Sequence, residues 1–263
     1  MRDALVYFLP CKISSLYVNV TDKCLNICLF CIKRDGPVFY GCDLSLDGKE
    51  PTAHEMTEAL GANVAWEFVR EIVVCGMGEP LLRYDCVLDV CDWIKRQKGS
   101  AVGIRVDTSG LFWDRTKRLD LLGRIDVLSI SLNAETAEKY EELCHPRLVG
   151  AYAVLFDFLN AVKAWETERR RRQLPVPRVQ LSVVDTSEED FLPASGRKGY
   201  PPGTFPAPDF DKCREIAAGF GWPLIVKRLF RDSQHERWHD SSVLELCAQG
   251  VSPKVCQSCS FRH

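Results

Sequence analysis

The sequence predicts an α/β fold, a barrel of parallel strands covered by helices. Short β-rich runs alternate with helical patterns about six times, and parallel neighbours need a crossover between them, usually a helix. The 263 residues, 46% of them hydrophobic, suffice for a sizeable core. The residues with chemical character fall just past the strand ends, the rim on which an α/β barrel carries its chemistry.

Residues 15–20 (SLYVNV) are a first strand that delivers the chain into a cysteine-rich loop. Residues 53–65 have helical spacing, with Thr52 as N-cap. Residues 71–75 (EIVVC) form the second strand and run into GMGEP. Residues 85–97 carry apolar side chains at helical spacing. Residues 103–107 (GIRVD) and 126–132 (DVLSISL) are the third and fourth strands, ending in TSG and NAE. Helices over 134–143 and 152–168 lead to a strand over 177–185. A helix over 210–220 and a strand over 223–227 close the pattern. Residues 186–208 contain several Pro and Gly and no periodicity, the mark of a long functional loop. After Arg228 the sequence becomes a polar tail ending in further cysteines.

Composition narrows the function classes. A net charge of −2 gives no footprint for nucleic acid or an anionic membrane. The basic run at 168–172 (ERRRR) reads as a solvated helix end. No apolar run approaches the roughly 20 residues of a membrane span. The first residues carry an early acid and no convincing cleavage pattern, so a mature cytoplasmic chain is the default expectation. Thirteen unevenly clustered cysteines then point to metal ligation rather than disulfides. Cys75, Cys86, Cys91 and Cys144 fall in apolar or helical patterns and read as buried structural thiols.

Cys24, Cys28 and Cys31 are different: they share one short loop, C-x3-C-x2-C. A structural zinc wants four protein ligands, and a [4Fe–4S] cluster has four irons to satisfy. Three thiolates leave one iron open, the arrangement of a catalytic metal. A zinc site completed by His54 or Cys42 is the alternative that spacing alone permits.

This loop resembles the signature of radical S-adenosylmethionine (SAM) enzymes, including the aromatic Phe30 before the last cysteine. GMGEP at Gly76–Pro80 resembles the superfamily's GGEP motif, with Met77 as a departure, and VDTSG resembles the segment ending its third strand. A narrower likeness, to the TatD-linked branch, runs through YVNVTDKCLNICLFCIKR, VVCGMGEPLLRYDCVLDV, LSISLNAETAEKYEELCHPR and FDKCREIAAGFGWPLIV.

The resemblance implies a partial (β/α)6 TIM-type barrel over residues 13–228 and a C-terminal extension over 229–263. It implies a [4Fe–4S] cluster on Cys24, Cys28 and Cys31 whose open iron chelates the amino and carboxylate groups of SAM. An electron, from a donor such as flavodoxin or ferredoxin, would cleave SAM to methionine and a 5′-deoxyadenosyl radical that abstracts hydrogen from an unassigned substrate. Backbone carbonyls of Gly76, Met77, Gly78 and Glu79, with the Glu79 side chain beside them, would receive the SAM ammonium. Phe30 and Val183 would lie against the adenine. Ser129, Ser131 and Asn133, on one face by strand alternation, would bind ribose or carboxylate, with Thr108 nearby.

Plainer roles stand beside these. Ser129 and Ser131 read equally well as small residues of a barrel interior, Asp107 and Thr108 as caps, Asn133 as a helix start, and His145 and Arg147 as a turn about a proline. In the tail, Cys247, Cys256 and Cys259 form C-x8-C-x2-C. They suit zinc together with His263, His235 or His239, or a second iron–sulfur cluster together with Cys213. Two competing functions remain open: a glycyl-radical-enzyme activase, and an iron–sulfur or zinc scaffold without SAM cleavage.

Overall fold

The computed structural model describes residues 2–9, 12–39, 42–62, 64, 66–187, 198–201 and 203–227. Its strands are β1 (Val6–Leu9), β2 (Lys12–Asn19), β3 (Val38–Phe39), β4 (Cys42–Asp43), β5 (Glu71–Cys75), β6 (Gly103–Thr108), β7 (Val127–Ser131), β8 (Arg178–Val184) and β9 (Leu224–Lys227). Strands β2, β5, β6, β7, β8 and β9 lie side by side in that order, all parallel. β1 adds an antiparallel margin beside β2, and β3 and β4 form a separate hairpin. Parallel crossovers are right-handed, so strands taken in chain order keep their helices on one face and curl toward a barrel. The margins β1 and β9 do not pair with each other. The result is the partial (β/α)6 barrel expected from the sequence.

The helices are α1 (Arg2–Leu5), α2 (Ala53–Gly61), α3 (Tyr84–Lys98), α4 (Ala137–Cys144), α5 (Ala151–Arg171) and α6 (Phe210–Phe220). Val87, Val90, Cys91 and Ile94 of α3, and Leu155, Phe158, Leu159 and Val162 of α5, repeat at three- and four-residue steps and form buried stripes. They pack on Leu16, Val18, Ile72, Val74, Ile104, Val106, Leu128, Ile130, Val179 and Leu181, the alternate residues of five strands. Each such side chain taken fully from water contributes roughly 1.5–3 kcal/mol. The opposite face of the sheet, turned to the barrel interior, carries Glu71, Arg105, Asp107, Ser129 and Gln180.

Several boundaries moved. The helix expected over 53–65 begins at its capping box, where the Thr52 side chain accepts the Glu55 N–H, but it stops at Gly61. A glycine costs about 1 kcal/mol in a helix interior. The helix expected from 134 begins at Ala137, because Thr136 rather than Asn133 accepts the first-turn N–H, that of Lys139. β1 and the hairpin of β3 and β4 were not foreseen; strands of four and two residues are too short to show an alternation. Cys86, Cys91 and Cys144 are buried, as read, whereas Cys75 is half-buried beside the Tyr7 hydroxyl at 3.9 Å.

Candidate cofactor site

The cysteine loop leaves the C-terminal end of β2 and is fixed on three sides. Asn19, the last residue of β2, is fully buried. Its Nδ2 donates to the carbonyls of Ala4 at 3.2 Å and Leu44 at 2.9 Å, and its Oδ1 accepts the Met77 N–H at 3.2 Å. One side chain thus joins the N-terminal helix, the segment after the hairpin and the GMGEP turn. Sequence reasoning missed Asn19; the signal was a polar residue inside the apolar run YVNV. On the second side, the Thr21 hydroxyl donates to Glu50 at 2.7 Å, Lys33 donates to the Asp22 carbonyl at 2.6 Å, and the Leu46 N–H donates to the Asp22 carboxylate at 2.9 Å.

The third side is α4. The N–H groups of Ile27 and Leu29 donate to the carbonyls of Cys144 and Leu143, each at 2.9 Å, and the Arg147 N–H donates to the Leu25 carbonyl at 2.8 Å. These carbonyls are ones a helix end leaves without internal partners. His145 turns the chain there in the left-handed conformation, φ 41°. The turn about the proline between His145 and Arg147, with the helix end before it, therefore also braces the cysteine loop.

GMGEP meets the same loop from the next strand. The Glu79 N–H donates to the Lys23 carbonyl at 2.8 Å. A Cβ on Gly78 would lie 2.3 Å from that carbonyl oxygen, and one on Gly76 would lie 2.3 Å from Asn19 Oδ1. Both glycines are required by the approach of the chain to itself, before any ligand is considered. Met77 points away into a small cluster with Tyr7, Tyr17, Leu44 and Val73.

Glu79 is 2% exposed. It accepts from Thr108 Oγ1 at 2.7 Å, from the Ser109 N–H and hydroxyl at 2.6 Å each, and from the Leu81 N–H at 3.0 Å. Burial pushes its carboxyl up, with these donors pulling the other way. The carboxylate expected to receive the SAM ammonium is instead occupied in tying the β5 turn to the β6 turn, with Thr108 and Ser109 as its partners.

Cys24, Cys28 and Cys31 are each half-buried and within electrostatic reach of one another. Burial pushes the Cys24 thiol up to about 12, aided by the Glu79 charge. Cys31 is raised by burial and by Cys28. Cys28 is raised first by a hydrogen bond with the Cys144 thiol and then by burial. Without a metal these are neutral thiols, and a metal binds by displacing their protons. Among the described residues, no three His, Cys, Asp or Glu side chains converge on a point that would hold a single ion. A single zinc would need its ligands to converge on one point. The donor set fits a four-iron cube, whose thiolates bind separate irons. The same loop contains two buried acceptors, Asp22 Oδ1 and Asn26 Oδ1, that have no hydrogen-bond partner among the described residues. His54 sits on α2 beside Glu58 at 3.7 Å, mostly exposed; the Cys42 side chain lies outside the described ones.

The remaining residues divide. Phe30 is buried in the main core, so little of its ring is left for an adenine. Val183 also belongs to the outer, helix-covered core rather than to a pocket. Ser129 and Ser131 face the barrel interior, and Ser129 accepts from Gln180 at 3.4 Å. Asn133 does not share their face. The strand ends at Ser131, and Asn133 takes a left-handed φ of 59°, which breaks the alternation and turns its Nδ2 to Cys144 Sγ at 3.5 Å. Cys213 is buried in α6, with its thiol pushed up to about 12 by burial. Cys247, Cys256, Cys259 and the tail histidines lie outside the described residues.

A thiol-rich loop locked to a glycine turn at the C-terminal rim of a parallel barrel defines an α/β barrel protein with its chemistry at the strand ends. Residues 18–164, more than half of the chain, match the radical SAM superfamily, and the chain belongs to it. This is a superfamily of enzymes, and membership implies a [4Fe–4S] cluster and SAM as cofactors. The chain is 31% identical over 126 residues to a GTP 3′,8-cyclase of Limosilactobacillus fermentum, covering 48% of this chain and 35% of that protein. It is 32% identical over 124 residues to a probable dual-specificity RNA methyltransferase RlmN of Pseudothermotoga lettingae, covering 46% and 35%. The chain thus spans about a third of the length of these curated relatives. A solved structure of TYW1 with a lysine-pyruvate adduct bound shares the fold, with a TM-score of 0.51 and 14% identity over 90% of this chain and 72% of that one. No helix among the described residues is long and apolar enough to cross a membrane.

Proposed function

We propose that this chain is a radical SAM enzyme in which Cys24, Cys28 and Cys31 hold a [4Fe–4S] cluster and leave one iron for SAM. When bound, this pair supplies a 5′-deoxyadenosyl radical for hydrogen abstraction from a substrate. The observation that carries the reading is the joint between two motifs: the Glu79 N–H on the Lys23 carbonyl, with Gly78 pressed against the same backbone. It sets the thiol loop and the glycine turn against each other at one rim.

The chain's own residues then have defined tasks. Asn19, Thr21 and the α4 terminus hold the loop so that three thiols keep their spacing. Glu79 holds the turn, leaving its backbone carbonyls to accept the SAM ammonium. Ser129 and Ser131 face the interior, where ribose or substrate hydroxyls would bind. The polar interior, with its ion pairs of Arg105 and Lys227, suits a polar substrate better than a hydrocarbon. The narrower kinship with TatD-linked proteins rests on the four strings quoted above. Residues 13–228 form the catalytic unit in this reading, and 229–263 an extension in which Cys247, Cys256 and Cys259 bind a second metal.

The test is anaerobic reconstitution with iron and sulfide, followed by SAM and dithionite. The expected product is 5′-deoxyadenosine, lost in Cys24→Ala, Cys28→Ala and Cys31→Ala. A fully loaded cluster that yields none would reject the enzyme in favour of a scaffold. Iron and zinc counts unchanged by replacement of the three tail cysteines would reject the second metal.

A further inference from the structure

Four charged side chains form a single file on the inner face of the sheet. Glu71 of β5 lies 3.3 Å from Arg105, Arg105 lies 3.0 Å from Asp107, and Asp107 lies 3.1 Å from Lys227 of β9. Glu71 is level with Gly103, the first residue of β6, and Arg105 and Asp107 follow at two-residue steps. The file therefore climbs toward the C-terminal ends of the strands, the rim that carries the cysteine loop, and its signs alternate from negative at Glu71 to positive at Lys227. Two strands, β7 and β8, separate β9 from β6, so the Lys227 side chain crosses the barrel interior in front of them to reach Asp107. Lys227 is also the most open of the four, with 35% of its side chain exposed against 19–26% for the others.

The two ends of the file differ. Glu71 is taken up by Arg105 and by the Ser15 hydroxyl, which donates to it at 3.3 Å. A charge inside the file has an opposite neighbour on each side, whereas Lys227 has one on one side only, so the field beyond the rim end is positive. Among the described residues the Lys227 ammonium has one acceptor, Asp107, which leaves two of its three N–H groups unused. Two further donors stand beside it. Ser131 and Ser182 are register partners on β7 and β8, one pleat nearer the rim than Ser129, which is level with Asp107. Neither hydroxyl makes a hydrogen bond among the described residues, although Ser182 is only 1% exposed. A buried hydroxyl without a partner costs stability that a ligand can return. We propose that Lys227, Ser131 and Ser182 bind an anionic group of the substrate, a carboxylate or a phosphate, on the floor of the barrel chamber. The ammonium supplies the charge and the two hydroxyls supply directed donors. Asp107 holds the ammonium in place, and Arg105 matches the Asp107 charge, so that the arriving anion meets no uncompensated carboxylate. The inference rests on the proposed enzyme, and it deepens that reading by naming the substrate class.

The experiment titrates the full chain with inorganic phosphate and with acetate, before and after anaerobic cluster assembly, while the amides of β7 and β8 are followed by nuclear magnetic resonance. Wild type is compared with Lys227→Met, Lys227→Arg and Ser182→Ala. The expected result is saturable binding of at least one of the two anions. It should weaken about 10- to 100-fold in Lys227→Met and about 2- to 10-fold in Ser182→Ala, and be largely kept in Lys227→Arg, which retains the charge. No saturable binding of either anion by wild type overturns the proposal. Binding unchanged in Lys227→Met also overturns it, because the anion would then sit elsewhere on the surface. Should that variant not fold, unchanged binding in Ser182→Ala overturns the proposal equally. The reconstituted wild type should bind the anion and SAM together; competition between them would assign the site to the SAM carboxylate and overturn the assignment to substrate. A wild type that assembles no cluster refutes the enzyme reading itself, and the titration of the chain before cluster assembly distinguishes that failure from this one.

Discussion

The two faces of the one parallel sheet differ in make-up: the outer is apolar throughout, whereas the inner sets an apolar patch of Tyr17 and Val73 beside charged and polar groups. On the outer face, Leu16, Val18, Ile72, Val74, Ile104, Val106, Leu128 and Ile130 are almost entirely buried under the helices. On the inner face, Arg105 lies 3.3 Å from Glu71 and 3.0 Å from Asp107, and Lys227 lies 3.1 Å from the other Asp107 oxygen. Arg105 Nε and Asp107 Oδ1 are in ion-pair range yet outside hydrogen-bond geometry. Period-two alternation assigns neighbouring residues of one strand to these two environments. The difference teaches that burial energy is concentrated on the outer face, while the inner face keeps polar groups at a stability cost and holds them in position.

The severest way to break this comparison is on β6, which contributes to both faces. Ile104→Ala, on the outer face, is expected to destabilise by about 2–5 kcal/mol in a urea titration, from lost transfer energy plus a cavity. Arg105→Met, one residue on, leaves Glu71 and Asp107 without their shared cation. Its expected cost is about 1–3 kcal/mol, below that of a fully buried pair because water still reaches the group. An Arg105 variant as damaging as the Ile104 variant would mean that the interior ion pairs carry stability, and the comparison would fail.

Glu166 sharpens the comparison as a polar exception in the outer layer. Burial pushes its carboxyl up, but the Trp222 indole N–H at 3.0 Å, Arg170 at 2.8 Å and Lys163 at 3.3 Å outweigh it and hold it below the usual value. Its contribution is therefore full above the unfolded carboxyl's pKa of about 4.3 and is lost as pH falls through the lower folded value. Thermal unfolding of wild type followed from neutral to about pH 3 should show an acid loss of about 1 kcal/mol that is absent from Glu166→Gln. Equal acid losses in the two proteins would remove Glu166 from the account. The smallest expected effect lies at the brace of the cysteine loop. Thr136→Ala removes the cap of α4 and should cost about 1 kcal/mol or less by chemical denaturation. Protection of the Ile27 and Leu29 amides from hydrogen exchange should fall with it, and unchanged protection would show that the helix end does not depend on its cap.

Much of the barrel was legible because its signals are local. Helical stripes at three- and four-residue steps marked α3, α5 and α6, and β-rich runs of five to seven residues, apolar or alternating, marked β5, β6, β7 and β8. The three-cysteine loop was legible for the same reason, since all its members lie within eight residues. Asn133 was misread because alternation was carried two residues past the end of β7, where a left-handed residue cancels it. Glu79 was read toward a ligand because its pattern reveals acidity and position but not the Thr108 and Ser109 donors that arrive from the next strand.

By itself, the sequence determined the class of fold, the thiol loop and the glycine turn, because each rests on spacings of a few residues that backbone geometry converts directly into structure. Only the tertiary structure decided that Asn19 joins three segments, that Glu79 is already occupied, and that Cys144 stands beside Cys28. Those outcomes depend on strand order and helix docking, which bring together groups up to 116 positions apart and are fixed by the burial of the whole outer face rather than by any local pattern.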